Sequence, residues 1–176
     1  YNLEMPNPGT KEFFHEGAQE RCVKLAVQNL REFISFLEKL LGRRMDYGKL
    51  EEVVDDMVEM LRVWHEVNEL RKSRPCPMHA RHFWACMPPA LFLLGDIKVA
   101  KKHYLSLYEE VLELVREGRC AVGNERYRLQ FGALPPWHSL DFFDLLAERG
   151  WNFVSESLSY HPPIPIDLSD VSDPLE

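Results

Sequence analysis

The chain has 176 residues, enough for one domain with a substantial core or for two small ones. Apolar residues make up 45% and charged residues 28%, ordinary for a globular protein, and the net charge of -7 argues against a nucleic-acid partner, which needs a basic face. No apolar run is long enough for a membrane span, the start YNLEMPNPGTKEFF lacks the regions of a signal peptide, and four cysteines with no CxxC suit a reducing, cytoplasmic compartment.

The elements read as follows in chain order. NPGT is a turn, and Thr10 is placed to cap a helix. Phe14, Ala18, Cys22, Leu25, Leu30, Phe33, Leu37 and Leu40 or Leu41 then trace one helical stripe to a stop at Gly42. At 1.5 Å per residue this helix would be roughly 45 Å long. Asp46 caps a second helix whose stripe is Leu50, Val53, Val54, Met57, Leu61, Trp64, Val67 and Leu70. Arg71, Lys72 and Arg74 near its end suit the helix dipole, and Pro75 and Pro77 stop it. Two long amphipathic helices joined by a short turn predict an antiparallel hairpin.

Residues 78–87 read as helical, Pro88 and Pro89 as a break or kink, and ALFLLG as a buried turn or short helix. Asp96 then caps a helix over 97–117, with Val99, Tyr104, Leu107, Val111, Leu114 and Val115 inward and Gly118 as its stop. Beyond it the period falls to two. Tyr127, Leu129 and Phe131 alternate with Arg128 and Gln130, as in a strand. Ser139 caps a helix over 140–149, Gly150 ends it, and WNFVSE is a second strand. Strand, helix and strand with short connections predict a βαβ unit with a parallel sheet and a right-handed crossover. The expected fold class is therefore α/β: a long helical hairpin (1–75), a helical connection (76–120), and a Rossmann- or flavodoxin-like βαβ portion with a Pro/Asp-rich tail (121–176). The start at Tyr1 and the end DVSDPLE suggest part of a longer subunit.

In such a sheet, ligands bind outside the carboxyl ends of the strands. The loops GALPPWHS and SESLSYH leave those ends, and the helix near Ser139 would aim its positive end between them. Two prolines fix where Trp137 goes, either as a lid over the core or as the wall of an apolar pocket. Arg126 and Arg128 read more readily as strand-edge ion pairs, worth about 1 kcal/mol or less each, than as a carboxylate clamp. Cys76, His79, His82 and Cys86 share an arc of one helix, but one straight helix rarely supplies four ligands to a tetrahedral ion, so no metal site is assigned to them. HEVNE at His65 lacks the second histidine of a zinc protease motif, and no Gly-rich phosphate loop or nucleophile elbow occurs. No spacing supports a triad of Ser155, His138 and Glu156.

One resemblance goes further. The stretch ERYRLQFGALPPWHSLDFFDLLAERGWNFVSES with a later DPLE resembles the middle of subunits in the benzoyl-CoA reductase / 2-hydroxyacyl-CoA dehydratase family. LEKLLGRRMDYGKLEEVVDDM and SRPCPMHARHFW followed by LGD resemble its preceding segments, so the similarity covers most of residues 25–176. The resemblance implies a subunit of an oxygen-sensitive, heteromeric enzyme of anaerobic metabolism that reduces or dehydrates an acyl-CoA thioester by one-electron, ketyl-radical chemistry. It implies a [4Fe-4S] cluster, a homologous second subunit and an ATP-dependent electron-activating protein. None of Cys22, Cys76, Cys86 and Cys120 matches the family's cluster-binding positions, so the ligands are expected outside this chain. Carried over loosely, it implies catalytic roles for His138, as proton donor, and Glu156. Substrate-binding roles fall to Trp137, as an apolar wall, and to Ser157, Tyr160 and Arg126. ERYRL…PPW and DPLE resemble the benzoyl-CoA reductase side slightly more, and a flat aromatic substrate would suit the aromatic loop; a 2-hydroxyacyl-CoA dehydratase and a non-catalytic helical scaffold stay open.

Overall fold

The computed structural model describes residues 17–91, 95–132, 134 and 136–157, at backbone level only for 90 and 91. Thr10, Tyr160 and the Pro/Asp-rich tail lie outside the described residues. The chain divides into one unit that includes the residues up to Glu52 and another that begins at Val53.

In the first unit, α1 (Ala18–Leu41) ends at Gly42 in the left-handed conformation, φ 64°, as its position in the sequence predicts. The Glu38 carboxylate accepts a hydrogen bond from the Met45 backbone N–H at 2.7 Å, tying the turn back onto the helix. Asp46 then caps α2 (Tyr47–Arg71), accepting from the Lys49 backbone N–H at 2.9 Å. The buried stripe of α1 differs from the expected one. Val27 is buried and Leu30, Ile34 and Leu37 are half-buried, whereas Leu25 and Leu40 are exposed. Leu25 lies two residues from Val27, about 200° around the helix, so the two cannot share a face.

The second unit is built around α2 from Met57 onward. Its apolar face meets α3 (Ala80–Cys86) and α5 (Ile97–Arg116) in one core that includes Met60, Trp64, Val67, Phe83, Trp84, Tyr104 and Val111. Trp64 stacks on Phe83 with ring centroids 4.7 Å apart, and Tyr104 tilts against Trp64 at 5.2 Å. The Tyr104 hydroxyl donates to the Cys86 carbonyl at 2.8 Å, which satisfies its polar end inside the core. Asp96 caps α5 as expected, accepting from the backbone N–H groups of Lys98 and Val99. Val99, expected to point inward, is exposed, because Ile97, Ala100, Tyr104 and Val111 set the buried face. Pro88 and Pro89 break the helical run as expected: α3 (Ala80–Cys86) stops before them, and they open the separate short α4 (Pro88–Leu91), where a first-turn proline has no hydrogen bond to lose.

The βαβ unit is present. β1 (Tyr127–Phe131) and β2 (Trp151–Glu156) pair in parallel, with α6 (Asp141–Ala147) in the crossover. The register runs Tyr127 to Trp151 and Leu129 to Phe153, then shifts so that Gln130 meets Ser155 and Phe131 meets Glu156. Val154 is the residue passed over. Such an insertion resets the side-chain alternation, and Glu156 beyond it is fully buried. Ser139 is not the cap of α6: residues Trp137–Ser139 form a single 3-10 turn, and Leu140 precedes the helix without a side-chain cap. The fold is α/β, with long helices in succession and then a small parallel sheet. Among the described residues, no helix is long and apolar enough to cross a membrane.

Candidate functional site

The carboxyl ends of β1 and β2 are adjacent through the pairing of Phe131 with Glu156, so Gly132 and Ser157 leave them side by side. Trp137 lies on the segment after β1. Its indole N–H donates to the Trp84 carbonyl at 3.2 Å, and its ring meets that of Trp84 edge-on, centroids 6.3 Å apart. Trp84 is itself buried against Phe131, which packs on Phe143 and Phe153. Trp137 is thus anchored by one edge to the core while 39% of its surface remains exposed. His138 and Leu134 are exposed beside it in sequence, and Ser157 is exposed directly after β2.

Glu156 and Arg126 are placed otherwise. Both carboxylate oxygens of Glu156 are held by the Arg71 guanidinium, and neither side chain is exposed. Arg126 precedes β1, at the amino ends of the strands, where its backbone N–H donates to the Gly150 carbonyl at 2.8 Å. A five-residue strand separates it from the Trp137 segment by roughly 16 Å at 3.3 Å per residue. The structure does not bring Arg126 to the other candidates, since a residue that opens a strand lies opposite its carboxyl-end crevice. Arg128 pairs with Glu125 at 2.6 Å and donates to the Lys72 carbonyl, while Glu125 also accepts from Asn152 at 2.6 Å. The strand-edge ion pair is therefore what Arg128 forms.

A polar cluster without an assigned role in the sequence reading surrounds the start of α3. His79 and His82 stand between two cavities of about 580 and 340 Å³, one bordered by Asp144 of α6 and Glu148 just after it, the other by Leu107, Glu110 and Leu114 of α5. Arg81 spans to Asp144 and, at 3.0 Å, to Asp141. Burial holds the His79 imidazole below its ordinary pKa, an effect that the Asp144 carboxylate opposes. The signal for this cluster was present in PMHARHFWAC, but the Asp144 carboxylate lies sixty-five residues beyond His79 in the chain.

The cysteines do not fit an iron–sulfur cluster. Such a cluster takes thiolates converging from several directions. Here the Cys76 thiol is buried and donates to the Met78 carbonyl at 3.3 Å, and burial pushes its pKa up. Burial does the same to Cys86, aided by Glu110, while the exposed Cys120 thiol donates to the Val122 carbonyl. Among the described residues, no group of three or more His, Cys, Asp or Glu side chains converges on a metal position.

The model of the family 2-hydroxyglutaryl-CoA dehydratase, D-component, matches residues 1–176. The (R)-2-hydroxyglutaryl-CoA dehydratase subunit alpha of Acidaminococcus fermentans is 26% identical over 145 residues, 81% of this chain and 30% of that protein. The (R)-2-hydroxyisocaproyl-CoA dehydratase alpha subunit of Clostridioides difficile is 24% identical over 159 residues, 89% of this chain and 38% of that protein. The chain thus spans about a third of the length of these curated relatives. With a match along its whole length, it belongs to the 2-hydroxyglutaryl-CoA dehydratase D-component family.

Proposed function

We propose that the chain is part of a 2-hydroxyacyl-CoA dehydratase subunit that converts a 2-hydroxyacyl-CoA to a 2-enoyl-CoA and water. The family match over residues 1–176 carries this reading. Both relatives bear dehydratase names, which favours dehydration over aromatic-ring reduction. The one-electron, ketyl-radical character, the homologous second subunit and the ATP-dependent activating protein come with the same reading and belong to the complete enzyme. So does the [4Fe-4S] cluster, whose ligands would be supplied by residues outside those described.

Within this chain, Trp137 would line the acyl group with an apolar wall held by the Trp84 carbonyl. His138, exposed next to it, would hand a proton to the departing hydroxyl, while Ser157, and Tyr160 after it, would meet polar parts of the thioester. The test is the complete enzyme, purified without oxygen, assayed for dehydration of 2-hydroxyacyl-CoA and reduction of benzoyl-CoA, with iron and sulfide measured alongside. Dehydration with about four irons per subunit is expected; reduction of benzoyl-CoA without dehydration would transfer the chain to the reductases. In the active enzyme, Trp137→Ala is expected to lower kcat/KM about tenfold or more through lost apolar contact. His138→Ala is expected to lower kcat by about a hundredfold. Wild-type kinetics in both variants would remove the strand-end loops from the substrate site.

A further inference from the structure

The first turn of α3 is capped by one imidazole, beside the backbone bond from the Phe83 N–H to the His79 carbonyl at 3.1 Å. His79 occupies the N-cap with extended backbone, φ -69° and ψ 141°, and its Nδ1 accepts a hydrogen bond from the Arg81 backbone N–H at 3.1 Å. An imidazole nitrogen accepts only when it carries no proton, so this ring is neutral, with its hydrogen on Nε2. The same Nδ1 lies 3.8 Å from Oδ1 of Asp144 on α6. A backbone N–H can use Nδ1 only as an acceptor, and a carboxylate can use it only as a donor. The two partners exclude each other, and one proton decides between them.

The consequence of losing the cap is set by what α3 carries. Phe83 and Trp84 are fully buried, and the Trp84 carbonyl is the acceptor for the Trp137 indole N–H. α3 has seven residues, so its first turn is about half of the helix. A change at His79 is therefore passed within two turns to the group that fixes Trp137.

We propose that His79 is a proton-operated latch: neutral, it caps α3 and keeps Trp84 in place beneath Trp137; protonated, it leaves the Arg81 backbone for Asp144 and releases Trp137 from its fixed position.

The charged surroundings suit a two-position device. From α6, Asp144 faces the ring while Asp141 pairs with Arg81, and Glu148, just after α6, borders the same cavity. From α3, Arg81 and His82 oppose a second positive charge, with the His82 ring 6.0 Å from that of His79. Arg71 of α2 acts in the same direction. Across the other cavity stand Glu110 of α5 and then Arg119 and Cys120. Burial and the neighbouring cations favour the neutral ring, and the Asp144 carboxylate favours the charged one. The folded-state pKa therefore lies below the ordinary value near 6.5. The unfolded chain takes up the proton first, so stability is complete above that value and falls as pH drops toward the folded-state pKa. The latch is closed at neutral pH and opens on acidification. This inference rests on the geometry of α3 and α6 and not on which acyl-CoA reaction the enzyme performs.

The test is NMR titration of the complete protein, following the His79 ring and the Trp137 indole N–H between pH 8 and 4.5. Both are expected to move with one midpoint below the ordinary histidine value. His79→Asn supplies a cap that does not titrate, and in this variant the Trp137 resonance should hold its neutral-pH position throughout. Asp144→Asn, which removes the competing carboxylate, should move the His79 midpoint lower still. A Trp137 resonance that ignores the His79 midpoint, or that still titrates with the same midpoint in His79→Asn, would overturn the latch. A His79 ring that stays neutral over the whole range would do the same.

Discussion

Arg71→Ala is expected to cost the fold about 3–5 kcal/mol, read as a large fall in the urea midpoint. Arg71 and Glu156 are both wholly buried. Nη2 of Arg71 donates to Oε1 of Glu156 at 2.7 Å and to the Phe153 carbonyl at 2.9 Å, while Nη1 takes the other carboxylate oxygen. The guanidinium carbon sits 3.7 Å above the centre of the Phe83 ring, itself stacked on Trp64. One side chain therefore joins the end of α2, the core and the carboxyl end of β2. Removing it leaves a carboxylate in the core without its counter-ion, and the desolvation penalty, not the lost attraction, dominates the cost. Arg71→Met combined with Glu156→Leu is expected to recover most of the loss, because a well-packed apolar pair carries no such penalty. If the double variant were as unstable as Arg71→Ala, the pair would not be the cause. The same residues decide what Glu156 does. Glu156→Gln should lower stability and activity together if the carboxylate is a strut beneath the crevice. Loss of turnover with a wild-type urea midpoint would make it a group acting on substrate.

The chain announces its local punctuation openly. Gly42, Gly118 and Gly150 each stand where a helical stripe ends, and each adopts positive φ. Asp46 and Asp96 cap the helices they precede, and the change of period at Tyr127 marks a true strand. These features are legible because each is settled by a few consecutive residues. What was hidden depends on partners far along the chain. Arg71 looks like one of three cations at a helix end, yet its partner is 85 residues away. Nothing local separates it from Lys72, which is exposed and reaches Glu69. The shift at Val154 is equally silent, since WNFVSE alternates no differently from an unshifted strand. Half of the candidate crevice was legible for the same reason. The order strand, loop, helix puts Trp137 and His138 at a carboxyl end whatever surrounds them. Their anchor, the Trp84 carbonyl, belongs to a helix fifty-three residues earlier. The His79 cap was missed because histidine is an uncommon N-cap and the residue types sought there are Ser, Thr, Asp and Asn.

Gly150→Ala is the second large effect, expected at about 2–4 kcal/mol of destabilisation from left-handed strain together with overpacking. Gly150 has φ 79°, and a Cβ there would lie 2.3 Å from the Asn124 carbonyl oxygen and 3.0 Å from Cγ of Arg126. The neighbour is backbone, so no rotamer change relieves the overlap. The segment cannot retreat cheaply either. The Gly150 carbonyl accepts from the backbone N–H groups of both Arg126 and Tyr127, at 2.8 and 3.0 Å, which starts the pairing of β1 with β2. Moving Asn124 away pulls at those bonds and at the Glu125 carboxylate, which holds Arg128 and Asn152. The two sources of cost are separable by comparison with Gly42, which has φ 64° but nothing within 4 Å of a Cβ. Asparagine tolerates the left-handed region. Gly42→Asn should therefore be nearly neutral and Gly42→Ala cost only about 1 kcal/mol. At position 150, asparagine should fare no better than alanine, because the clash is with its Cβ. Recovery of the urea midpoint in Gly150→Asn would mean that dihedral strain alone makes this glycine necessary and that the close approach of Asn124 is not tight.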